Sequence, residues 1–93
     1  MPTRAERIRT ALEAAFPPAR IIVQDDSYRH AGHAGARPEG ETHYSVQVVS
    51  PAFAGQSRLT RSRAVHAVLA AEFGGGLHAL SLRLLTPEEA GEG

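Results

Sequence analysis

The chain has 93 residues, ten of them arginine and none lysine or cysteine, against ten acidic residues, so its formal net charge is zero. That length is one domain, residues 1–93, with a modest single core. Lack of cysteine excludes disulfides, thiolate catalysis and self-supplied sulfur ligands, and zero net charge argues against a dedicated nucleic-acid binder.

Taken in order, Thr3-Arg4-Ala5-Glu6 has the form of a capping box, with Thr3 as N-cap and Glu6 reaching back to it. Ile8, Leu12, Ala15 and Phe16 come next at helical spacing, and Pro17-Pro18 stops the helix. Ile21-Ile22-Val23 reads as a first strand. From Ser27 to Gly40, glycines, a proline and small residues predict a long loop. Thr42 to Ser50 alternates as a second strand, with Tyr44, Val46 and Val48 inward and His43, Ser45 and Gln47 outward. Pro51 and Gly55 bound a turn whose Phe53 plugs the core. A second helix is predicted from Arg58 to Phe73, with Val65, Val68, Leu69 and Phe73 as its buried stripe and Gly74 as a left-handed C-cap.

Leu77 to Leu85 alternates as a third strand, placing His78, Leu80, Leu82 and Leu84 on a core-facing row. Thr86-Pro87-Glu88-Glu89 predicts a short C-terminal helix. The order helix–strand–strand–helix–strand implies an α+β domain with helices on one face of a three-stranded sheet. No run is long enough to span a bilayer and Met1 to Arg7 has no apolar leader, so the expectation is a cytoplasmic protein without a membrane role.

The five histidines are the informative polar residues. His30 and His33 stand three apart in the predicted loop, and His78 opens the last strand. Imidazole suits zinc, iron, copper and nickel, so a loop histidine and a strand-end histidine can supply two ligands and leave two positions for another molecule. The bland alternatives are a solvated loop and a strand-edge histidine bonded to a backbone carbonyl. Arg58, Arg61 and Arg63 cluster at the start of the second helix, where positive charge is mildly unfavourable; they form either a solvated face or a patch for an acidic partner or a phosphate backbone. Ser27 and Ser50 lack a paired base and Gly74-Gly75-Gly76 comes after a helix, so neither an enzyme nor a phosphate loop is expected.

Asp26-Ser27-x-x-His30, Glu41-Thr42-His43-Tyr44, Val48-Val49-Ser50-x-x-Phe53-x-Gly55, Arg61-x-Arg63 and Leu77-His78-Ala79-Leu80-Ser81 together resemble the BolA family over roughly Ile8 to Leu85. The resemblance implies a class II KH-like fold and a non-enzymatic partner of monothiol glutaredoxins. In such a heterodimer a bridging [2Fe–2S] cluster, held by the glutaredoxin cysteine and glutathione, takes its remaining ligands from the BolA-like protein. The family's His-Ala-Leu histidine falls on His78 and its loop ligand on His30, in the histidine branch, while His33 leaves the loop ligand open. Two departures stand out: Ser62 where the family often has histidine between two arginines, and a loop longer than in the shortest relatives.

Without a thiolate, the protein alone is expected to hold no stable cluster. The role implied is iron–sulfur cluster trafficking or iron regulation; the alternative is a KH-like nucleic-acid-binding transcriptional regulator, with weak DNA binding through the arginine cluster.

Overall fold

The computed structural model describes residues 3–25 and 43–91. Helix α1 (Arg4–Ala15) begins where the sequence places it: the Glu6 N–H donates to Thr3 Oγ1 at 3.2 Å, and the Thr3 N–H donates to Glu6 Oε2 at 3.1 Å. Two of the orphan donors of the first turn are thereby satisfied. Ile8 and Leu12 are fully buried, and Phe16 closes the helix with its ring 5.0 Å from that of Phe53. Strand β1 (Arg20–Asp25) pairs antiparallel with β2 (His43–Val49), in the register Ile21 to Val48 and Val23 to Val46.

A 3-10 turn, Pro51–Phe53, seats Phe53 at zero exposure. The buried Ser50 ends β2, donating from Oγ to the Phe16 carbonyl at 2.8 Å and accepting from the Ala52 N–H at 3.1 Å. A buried hydroxyl is tolerated there because both of its roles are filled.

The helix predicted over 58–73 is two helices, α2 (Arg58–Val68) and α3 (Ala70–Gly74), broken at Leu69. Val65 and Leu69 are buried while Val68 and Phe73 pack at the margin, so the predicted stripe stands despite the break. Gly74 is not the left-handed cap: it is still helical, Gly75 has φ −96°, and the left-handed residue is Gly76 at φ +118°. A Cβ at Gly76 would lie at ordinary contact distance, 3.5 Å, from the Arg4 guanidinium, so it is the backbone conformation that selects glycine.

Strand β3 (Ala79–Leu85) lies parallel to β2 on its other side, giving the sheet order β1-β2-β3. A parallel pair needs a crossover, and α2 and α3 supply it. Tyr44, Val46 and Val48 face the helices with Ile21, and Leu80, Leu82 and Leu84 pack against the margin of that core. The α+β expectation is met, with one change at its end. Thr86 and Glu89 form a reciprocal cap, Thr86 N–H to Oε1 at 2.8 Å and Glu89 N–H to Oγ1 at 3.2 Å, but they close one turn rather than open the predicted helix. Gly91, at φ +78°, ends it. Among the described residues no helix is long and apolar enough to cross a membrane.

Candidate functional site

Two imidazoles meet at one end of the sheet. His43 is the first residue of β2, and His78 immediately precedes β3, whose Ala79 is the register partner of His43. Parallel pairing therefore brings the two side chains to one edge from positions far apart in sequence: their ring centroids are 6.2 Å apart and their planes differ by 28°.

The approach to His78 is fixed from both sides. Arg4 donates from Nη2 to the Gly75 carbonyl at 2.7 Å and from Nε to Glu72 Oε1 at 3.0 Å, tying α1 to the turn that precedes the histidine. Arg7 donates to both Glu72 oxygens at 3.0 Å, and its hydrogen bonds, together with those of Arg4, hold the Glu72 carboxyl below the usual carboxylate range against the opposing effect of burial. The Leu77 N–H donates to the Glu72 carbonyl at 3.0 Å, and Leu77 itself is buried.

This corrects the sequence expectation for His78. It does not open the core-facing row; Leu77 enters the core instead, and His78 is exposed. The strand alternation begins only at Ala79, so the two residues before it keep to the turn, and the imidazole is turned out to solvent rather than laid beside the core. His43, assigned an outward position without a role, is half-buried and is the neighbour that sequence spacing did not reveal. The signal that could have found it is the parallel pairing, which sets the start of β2 beside the start of β3. The predicted ligands His30 and His33 lie outside the described residues, on the segment that leaves from Asp25 and returns at His43. Among the described residues no group of three or more His, Asp or Glu side chains forms a metal site.

The arginine cluster does not form one patch. Arg58 and Arg63 are exposed, but Arg61 is 6% exposed. Its Nε donates to the Gln56 carbonyl at 3.1 Å, and its Nη1 donates to the Leu84 carbonyl at 2.9 Å and to Glu89 Oε1 at 2.6 Å. Nη2 reaches Glu89 Oε2 at 3.2 Å, and the guanidinium carbon lies 5.8 Å from the Phe53 ring centroid. The helical position of Arg61 points it back under the sheet, where it joins α2, β3 and the C-terminal turn. His66 stacks on Phe73 with centroids 5.2 Å apart, away from the His43–His78 edge in sequence and on another element.

A family model described as BolA, BolA-like protein, matches residues 12–89. The chain belongs to the BolA family. It is 43% identical over 89 residues to the chloroplastic protein BOLA1 of Arabidopsis thaliana, a match covering 94% of this chain and 56% of that one. It is 42% identical over 84 residues to the DNA-binding transcriptional regulator BolA of Escherichia coli, covering 90% of this chain and 76% of the relative. Among solved structures, BolA1 from Arabidopsis thaliana superposes with a TM-score of 0.83 at 41% identity, covering 96% of this chain and 97% of that one. The BolA domain of SufE1 from the same plant gives 0.82 at 43% identity, covering 96% and 98%. In sequence the chain spans about half the length of the chloroplastic relative and 24% of the SufE-like protein that carries such a domain. A BolA unit is thus found within longer proteins.

Proposed function

We propose that this BolA domain is a non-enzymatic partner of a monothiol glutaredoxin, and that the two share a bridging [2Fe–2S] cluster in cluster trafficking or iron regulation. The observation that carries this reading is the exposed His78 imidazole beside His43 in a chain without a thiolate. Histidine donors without sulfur can complete a cluster only when another molecule supplies the remaining ligands. His78 would contribute one ligand and the 26–42 segment a second, His30 before His33, since that segment rejoins the described chain at His43. His43 flanks the site and orients its neighbour. Where histidines replace thiolates on one iron, the reduction potential of the cluster rises.

The test is to mix the purified protein with a monothiol glutaredoxin, glutathione, iron and sulfide, and to record visible absorption and circular dichroism. The mixture is expected to give a coloured complex whose dichroism differs from that of the glutaredoxin alone, and the protein alone is expected to hold no cluster through gel filtration. A cluster retained by the isolated protein without added thiol would overturn the shared-ligand reading.

The second reading, nucleic-acid binding, is favoured by the exposed cations Arg58 and Arg63 on α2 and by what the E. coli relative is called. With Arg61 buried, two arginines remain to neutralise phosphates, so the log–log salt slope for duplex DNA is expected near −2, at about −0.9 per phosphate. Fluorescence anisotropy across a salt series checks this. A slope steeper than about −4, with binding that persists at physiological salt, would raise the regulator reading above the glutaredoxin one.

A further inference from the structure

We propose that the open edge of β3, over Leu82 to Leu85, docks an extended acidic peptide segment that adds a fourth strand to the sheet. The groove lies at the far end of β3 from His78, about 13–23 Å along the strand at 3.3 Å per residue, and the inference does not depend on the cluster reading.

The hydrogen bonding fixes which backbone groups are on offer. The Ser50 N–H donates to the Leu85 carbonyl at 2.9 Å, so the backbone of Leu85 faces β2. Alternation then turns the groups of Leu82 and Leu84 to the opposite side, and Leu84 bears this out: its carbonyl accepts from Arg61 rather than from β2. The N–H and carbonyl of Leu82 and the N–H of Leu84 therefore line the outer edge, and among the described residues no strand pairs with it. Beside them runs a groove of about 450 Å³, lined by Arg58 and Ser62 from α2 and by Leu82 to Leu85.

Charge selects the occupant. Arg58 and Arg83 flank the groove and make no ion pair among the described residues, whereas Arg4 and Arg7 hold Glu72, Arg61 holds Glu89, and Arg9 donates to the Ile21 carbonyl. Arg58 stands on the first turn of α2, where a cation opposes the helix dipole until an anion offsets it. A second copy of this chain is a poor occupant, because edge-to-edge pairing would set Arg58 and Arg83 against their own counterparts. A nucleic acid offers the anions but not the regularly spaced amide donors and acceptors that a strand edge reads. An extended peptide with carboxylates on both of its faces offers both, one face toward Arg58 on α2 and the other toward Arg83 on the open face of the sheet.

The experiment uses the isotope-labelled full chain and three probes: acetylated (Glu-Glu-Thr)4, (Lys-Lys-Thr)4 and a 20-base-pair DNA duplex. The first is expected to shift the amide resonances of Leu82 and Leu84, to slow hydrogen exchange at both, and to bind less well as salt rises. Reversing both exposed charges, Arg58→Glu with Arg83→Glu, is expected to weaken it about tenfold and to favour the lysine peptide instead. Binding of the acidic peptide that leaves hydrogen exchange at the Leu82 and Leu84 amides unchanged would show plain ion pairing without strand addition, and would overturn the proposal. So would tighter binding of DNA at the same amides, or no binding of any peptide to the wild-type chain at low salt.

Discussion

Replacing Arg61 with alanine is expected to destabilise the domain by about 2–4 kcal/mol, because the change removes several partners at once. The Gln56 and Leu84 carbonyls lose a charged donor, at about 1 kcal/mol or more each for a part-buried acceptor left unpaired. The contact between the guanidinium and the Phe53 ring adds about 0.5–2 kcal/mol. Glu89 is exposed, so its screened ion pair is left out of that sum and shows instead in the pH dependence. For a domain of this size each kcal/mol moves the unfolding midpoint by about 4–8 °C, so the midpoint should fall by roughly 8–32 °C. Calorimetry checks this, with Arg61→Lys as the control that keeps the charge but loses the fork. A loss below about 1 kcal/mol would mean that Arg61 belongs to a solvated surface after all.

The same variant carries a pH signature. The Arg61 hydrogen bonds, then the Thr86 N–H, hold the Glu89 carboxyl down to about 2 from an ordinary 4.5. A carboxylate with a depressed folded-state pKa adds stability that is present above its unfolded value and is lost as pH falls through the folded one. The gap between wild type and Arg61→Ala should therefore narrow from about pH 5 down to about pH 2. It should be flat above that range.

Arg61 also shows where reading the sequence stopped short. Three arginines in six residues look alike as letters, and only the packing of α2 beneath β3 separates the buried one from its neighbours. Helix α1 was legible, except that Ala15 of its predicted stripe is exposed, because its capping box and core positions are local: Thr3, Glu6, Ile8 and Leu12 lie within ten residues. The inward set of β2 was legible for the same reason, since a period of two is written into Tyr44, Val46 and Val48. The break at Leu69 was not, because its stripe continues unbroken on either side and no glycine or proline marks it. At His78 the alternation was carried two residues too far, across a turn whose geometry Arg4 and Glu72 impose from a distance. His43 was placed on the correct strand but given no neighbour, because the parallel register that sets it beside His78 joins residues 35 apart in the chain.

His78→Ala is expected to change the dichroism of the mixed glutaredoxin cluster and to shorten its lifetime by at least tenfold, the lower end of what losing even an outer-shell partner does to a metal site. Stability should change by only about 1 kcal/mol, since the side chain is exposed and the turn is held by Leu77 and Arg4 rather than by the imidazole. His43→Ala separates orientation from ligation. A residue that only positions the His78 ring leaves the bands in place and shortens the lifetime; a ligand shifts the bands as His78→Ala does. Among the loop histidines, His30→Ala should shift the bands and His33→Ala should not, because His30 is tethered closer to Asp25 and fixing each further backbone residue costs roughly 1–2 kcal/mol. If His43→Ala shifts the bands while His30→Ala leaves them unchanged, the ligand pair is His43 with His78, and the 26–42 segment supplies no donor. If the His43→Ala, His78→Ala double variant forms a complex with wild-type dichroism and lifetime, neither imidazole is bound, and the pair at the end of the sheet serves something other than a cluster.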